Sequence, residues 1–141
     1  VEGRNSMTNR VAKENVPNML AVFVCLVGAH SVILGVVLIV APFWLLSLFG
    51  WGINCHPFFL QQAGVFHILL GLFYVIEYFS YHRIRMLLTA KVSAVIFLTA
   101  QFVWSDPEPG VMLSNLADAS MAAIAAFLWT RPSRTVGSPH G

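Results

Sequence analysis

The sequence predicts an all-α integral membrane protein, a bundle of four transmembrane helices over residues 19–130. Its composition is 57% hydrophobic and only 10% charged, whereas soluble proteins carry about 25% charged residues. It also holds four apolar stretches of about 20 residues, the length that an α-helix needs to cross the hydrocarbon core. A single domain of 141 residues could not bury four such stretches in water, so they must face lipid or one another.

The first apolar stretch predicts a span over residues 19–40. Residues 1–18 are polar and mixed in charge and predict a solvent-exposed leader, and Pro17 suits the entrance of a helix. The stretch is longer than the apolar core of about 7–15 residues in a signal peptide, so we expect the span to stay in the mature protein. Pro42 and the aromatic residues after it mark its exit at the membrane interface.

Three further spans are predicted over residues 57–80, 86–104 and 111–129. Only a very short loop separates the second span from the third. The segment Ser-Asp-Pro-Glu-Pro-Gly stops the third span, because its prolines disfavour helix before them and its glycine permits a reversal. Residues 131–141 predict a disordered tail.

The positions of lysine and arginine predict that both termini are cytoplasmic, since positively charged loops are retained on that side. The opposite loops hold no lysine or arginine but contain His56, Asp106 and Glu108. The residues that set the orientation precede the first span, join the second to the third and follow the fourth: Arg4, Arg10, Lys13, Arg83, Arg85, Arg131 and Arg134.

Several classes of function are disfavoured by the same residues. The net charge of +2 comes from scattered residues and not from a basic stripe, so nucleic acid is not an expected partner. Cys25 and Cys55 have no CxxC or metal-ligand spacing and are expected to be unpaired. No hydrolase, zinc-protease or nucleotide-binding motif is present. We therefore expect no catalytic residue and no metal site, and a protein that is not an enzyme.

Polar residues inside the predicted spans need a reason, because a polar side chain at mid-bilayer is costly unless it is paired or hydrated. A rise of about 1.5 Å per residue puts five of them in one polar layer, to which all four helices contribute. This layer predicts either hydrogen bonds that fix helix register or a binding site for a ligand or proton. Its members are His30, His67, Gln101, Asn115 and Asp118.

Two pairings are expected among these polar residues. Glu77 and Lys91 lie near the cytoplasmic interface on neighbouring spans and predict a structural ion pair. Asp118 is predicted to face the bundle interior, towards His67 or Gln101. A further alternative takes His30 and His67 as the two axial ligands of a haem b.

Small residues at helical spacing predict close packing between the spans. Gly28 and Gly35 mark the first span, and Gly64 and Gly71 the second. In the second span, steps of three and four residues place His67 on the same face as the glycines. In the fourth span the small residues are Ala119, Ala122, Ala123 and Ala126.

Residues 61–129 resemble the DoxX-like group of small four-helix membrane proteins. The matching features are Gly64 and Gly71 in the second span, a short basic loop, Lys91 early in the third span and Asp118 in the fourth. The resemblance implies the fold more than an activity. Some proteins of this type are linked, as small subunits, to membrane complexes that oxidise quinol or thiosulfate.

Three functions follow as expectations. The leading one is a small, non-catalytic subunit or accessory protein whose partners are the lipid bilayer and other membrane subunits or a second copy. The second is a protein that binds or transports a lipophilic, quinone-like molecule in the polar layer. The third is an electron-transfer subunit that carries haem b. No cofactor is predicted for the first function.

Overall fold

The computed structural model describes residues 19–50, 56–104 and 109–130, which form five helices. The helices are α1 (Met19–Val40), α2 (Pro42–Leu48), α3 (Pro57–Tyr81), α4 (Arg85–Trp104) and α5 (Pro109–Thr130). All except α2 are long and apolar enough to cross a membrane, which confirms the predicted all-α fold with four apolar spans. The predicted leader, the predicted tail and Cys55 lie outside the described residues.

The four long helices form a ring in which each contacts two neighbours, in the order α1, α3, α4, α5. Successive helices run in opposite directions. The start of α1, the end of α3, the start of α4 and the end of α5 therefore share one end of the bundle, which we call the hairpin end. The short α2 lies at the opposite end, against α1 and α3.

The backbones of α1 and α3 approach each other closely at two pairs of glycines. A Cβ atom added to Gly35 would lie 2.5 Å from the carbonyl oxygen of Gly64, and one added to Gly71 would lie 2.6 Å from that of Gly28. Both distances are shorter than real Cβ contacts, so only glycine lets the two backbones come this close. The predicted role of these four glycines agrees with this geometry.

The hydrophobic core lies at the hairpin end. It joins the first turns of α1 and α4 to the last turns of α3 and α5, and its buried members are Leu20, Val24, Val27, Tyr74, Tyr78, Ile84, Leu87 and Ala125. Most other large apolar side chains are exposed on the outer surface, as expected for helices whose solvent is lipid. The opposite end is joined differently, through Gly110 at the start of α5, which packs against Phe49.

The helix α2 was not predicted from the sequence, which indicated only an interfacial exit there. Pro42 stands at the first position of α2, where its missing N–H costs no hydrogen bond and its fixed φ suits a helix. Leu46 is buried, while Phe43 and Trp44 are exposed. The helix therefore presents aromatic side chains outward next to the end of α1, as an aromatic interface belt does.

We predict that Gly35→Ala destabilises the bundle by about 1–3 kcal/mol, the usual range for an overpacked contact. The added methyl group would meet the backbone of α3 at Gly64, which cannot move aside as a flexible side chain can. Thermal unfolding in detergent measures the effect, with Ala29→Val as the control on the exposed face of the same helix. Equal unfolding temperatures for the two variants would show that this contact is not tight.

Candidate functional site

The centre of the site is an ion pair between α4 and α5. Lys91 Nζ donates to Asp118 Oδ1 at 2.6 Å. The side chains are only 10% and 18% exposed, respectively. Such a pair inside a membrane is stable because each charge neutralises the other, whereas either one alone would be strongly disfavoured.

Helix rotation places both residues on the inward faces of their helices. Lys91 continues a buried stripe that begins with Ile84, directly before α4, and passes through Leu87 in its first turn. The steps are three and four residues. Asp118 lies on the face of α5 that also carries Met121 and Ala125 in the core. A carboxylate and an ammonium group thus extend the apolar core towards the middle of the bundle.

The lysine reaches away from the nearest membrane interface. Lys91 lies about 9 Å from the start of α4, and Asp118 about 18 Å from the end of α5, by the rise per residue. The flexible four-carbon stem of lysine bridges this difference in depth. Lys91 therefore turns towards the middle of the membrane and does not carry its charge to the headgroups, the direction that snorkelling would take.

The structure gives Glu77 and Lys91 other partners than the ion pair predicted between them. Glu77 Oε2 instead accepts a hydrogen bond of 2.9 Å from the backbone N–H of Met86. This N–H belongs to the first turn of α4, where the helix itself supplies no acceptor. Glu77 thus caps α4 across the short connection from α3, and Lys91, further along α4, faces Asp118 on α5.

The ring of His67 is hydrogen-bonded to its own helix. Its Nδ1 lies 2.9 Å from the carbonyl oxygen of Ala63. Since a carbonyl oxygen can only accept, Nδ1 must carry the proton in this hydrogen bond. In a neutral ring the other nitrogen, Nε2, then has a lone pair that can accept a proton or a hydrogen bond.

The four spanning helices each carry one polar residue towards the middle of their length, and we call these residues the polar cluster: His30, His67, Lys91 and Asp118. The direct contact within the cluster joins Lys91 to Asp118, whereas His67 is bonded to its own helix and His30 is exposed on the outer surface of α1. The cluster draws on all four spanning helices, as the predicted polar layer did, but α4 contributes Lys91 to it and not Gln101.

Asn115 makes a second polar contact between α4 and α5. Its Nδ2 donates to Thr99 Oγ1 at 3.1 Å. The buried Oδ1 of Asn115 has no hydrogen-bond partner among the described residues. Gln101, the remaining member of the predicted layer, is half-buried on α4. Asn115 and Thr99 thus join the α4–α5 pair nearer the opposite end from the polar cluster.

The residues of the polar cluster can compensate charge and exchange protons. Within residues 19–50, 56–104 and 109–130, no three histidine, cysteine or acidic side chains lie together as metal ligands would. The carboxylate of Asp118 is already bound to an ammonium group. Lone pairs remain on Nε2 of a neutral His67 ring and on Oδ2 of Asp118.

We predict strong coupling between Lys91 and Asp118 in a double-mutant cycle. Lys91→Met or Asp118→Leu alone should cost about 3 kcal/mol, because each leaves a buried charge without its partner. Asp118→Asn should also be costly, since it leaves the lysine charge uncompensated. The double variant Lys91→Met with Asp118→Leu should lose less than the sum of the single variants.

Reversible unfolding in detergent measures this cycle. Glu77→Gln combined with Lys91→Met is the control, because Glu77 and Lys91 make separate contacts and their effects should add. Additive losses for Lys91 and Asp118, together with coupling between Glu77 and Lys91, would reverse the assignment of partners.

Comparison with known proteins adds no family to this geometry. No protein-family model, curated protein or solved structure matches the chain. The resemblance to the DoxX-like group therefore stays an expectation. The four apolar helices and the contacts between them are the basis for any functional conclusion.

Proposed function

We propose that the chain is a small, non-catalytic subunit or accessory protein of a larger membrane assembly. The proposal rests on how little of α5 is buried against the other helices. Among its 22 residues, only Gly110 and Ala125 are buried. A multi-pass protein of this kind has a large helical surface left for lipid or for another membrane protein.

The exposed face of α5 has the composition of a helix-packing surface. Ser120 and Ala123 lie in the middle of this face, between the bulky side chains of Leu116 and Phe127. Small residues flanked by large ones allow a second helix to approach closely, which is the usual means of association in a membrane. Lipid alone does not need such a recess. The surface therefore favours a partner helix on α5.

The polar groups of the bundle interior support the same proposal. Lys91 and Asp118 satisfy each other, and Glu77 caps a helix. The grooves on α3–α4 and α4–α5 are open at the outer surface. A role in assembly needs a stable interior and a specific outer face, and the paired charges inside and the small residues outside on α5 support both. The DoxX-like resemblance agrees, since some members are small subunits of membrane complexes.

A binding protein for a lipophilic or protonatable molecule is the second candidate. The ring nitrogen Nε2 of His67, in the middle of α3, favours it. A quinone-like molecule would accept or donate hydrogen bonds at such groups, and a haem b would need His67 and His30 as ligands. The exposure of His30 on the outer surface leaves it accessible only from the lipid side.

We predict that Ala123→Leu abolishes co-purification of a partner while the protein stays folded. The larger side chain would fill the recess beside Ser120 and block the approach of a helix. Extraction from native membranes in a mild detergent, followed by mass spectrometry, measures the retained partner. Ala29→Leu, at an exposed alanine of α1, is the matched control and should retain it.

A wild-type protein that is strictly monomeric and free of partners would refute the assembly role. The same preparation also tests the second candidate. Quinone extracted from the purified monomer, or a Soret band in its absorption spectrum, would favour the binding function over the assembly function.

We also propose that both termini are cytoplasmic, on the basis of the arginine and lysine positions. Single cysteines introduced at Arg134 and Glu108, in a background without Cys25 and Cys55, test this orientation. A membrane-impermeant reagent added outside intact cells should label position 108 and leave position 134 unmodified. The reverse pattern would invert the topology.

A further inference from the structure

A groove at the hairpin end, between α3 and α4, combines an apolar wall with a single cation. We call it the hairpin groove. It has a volume of about 400 Å³ and is open at the outer surface of the bundle. This volume falls within the range of about 300–1,000 Å³ that small-molecule sites occupy. Its lining residues are Phe73, Ile76, Glu77, Tyr81, Arg83 and Met86.

The apolar wall of the groove faces the lipid directly. Phe73, Ile76 and Met86 are 44%, 51% and 42% exposed. The hairpin groove extends about 12 Å along α3, the length from Tyr81 back to Phe73 at about 1.5 Å per residue. Acyl chains are the ligands that such a surface meets in a bilayer. Tyr81, 69% exposed at the end of α3, has the amphipathic ring that settles at the headgroup level.

The charges at the mouth of the groove favour an anion. Arg83 is exposed, and none of the described carboxylates lies within ion-pair distance of it. The mouth also adjoins the N-terminus of α4, where the helix dipole favours negative charge. Glu77 already uses one oxygen to cap Met86, so its charge is partly compensated by that N–H and by the dipole. Arg83 remains as a guanidinium group suited to a phosphate.

We propose that the hairpin groove binds one anionic phospholipid. The phosphate lies at Arg83, and an acyl chain follows Phe73, Ile76 and Met86 along the groove. A soluble phosphate compound would use only the cation and would leave the apolar wall unused. A protein segment would have to reach the groove from within the lipid. In the hairpin groove, Arg83 has no ion pair with a described carboxylate and stands beside an exposed apolar wall. This combination favours a phospholipid over a soluble phosphate compound and over a protein segment.

Native mass spectrometry of the full chain, released from nanodiscs that mix phosphatidylglycerol with phosphatidylcholine, tests this proposal. The wild type should retain one phosphatidylglycerol and should discriminate against phosphatidylcholine. Arg83→Gln should bind phosphatidylglycerol about fivefold more weakly, the effect of removing one cation at the membrane surface. Arg85→Gln is the matched control, because Arg85 is exposed nearby but does not line the groove, and it should bind as the wild type does.

Two further variants separate the groove from general surface charge. Ile76→Trp fills the apolar wall without a change of charge and should also reduce the retained lipid. Glu77→Gln keeps an oxygen that can cap Met86 but removes the negative charge, so it should tighten binding. Equal losses for Arg83→Gln and Arg85→Gln, or no effect of Ile76→Trp, would overturn the site. Full displacement of the lipid by inorganic phosphate would also overturn it.

Discussion

In the hydrocarbon interior of a bilayer, an ionised side chain is stable only beside an opposite charge or water. The contact of Lys91 with Asp118 meets this condition by joining α4 to α5. It fixes the rotation of both helices, since each must turn its charged residue inward. The remaining contacts follow from this rotation: Leu87 and Ala125 enter the core, and the small residues Ser120 and Ala123 are left on the outer face of α5.

The other half of the bundle is organised by backbone contact instead of charge. Gly28 and Gly35 on α1 meet Gly71 and Gly64 on α3, and His67 lies between the two glycines of α3 in sequence. The α1–α3 half, which is held by backbone contact, and the α4–α5 half, which is held by an ion pair, thus both contribute residues to the polar cluster. The glycine half is packed through its backbones, whereas the α4–α5 half relies on side chains and leaves more of its surface uncovered. This asymmetry is why we place a partner on α5 and a lipid at the α3–α4 groove.

The fold was predictable because span length and hydropathy depend on sequence alone, and the glycine spacing identified the face that α1 and α3 share. The partner of Asp118 was not predicted, because depth in the membrane was estimated without rotation about the helix axis. The signal was present: Lys91 continues the apolar stripe of Ile84 and Leu87, which places it inward. The capping role of Glu77 depends on the start of α4, a boundary that hydropathy does not fix. The hydrogen bond from Asn115 to Thr99 was not predicted, because the position of Thr99 on its helix gave no sign of a partner.

The most direct test of this account is a solid-state NMR measurement on the protein in lipid bilayers, with isotope labels on Lys91 Nζ and the carboxyl carbon of Asp118. The structure predicts a strong dipolar coupling between the two labels and chemical shifts of an ammonium and a carboxylate, because the charges are paired at 2.6 Å. A neutral amine, or the absence of coupling, would contradict the claim that this ion pair sets the rotation of α4 and α5.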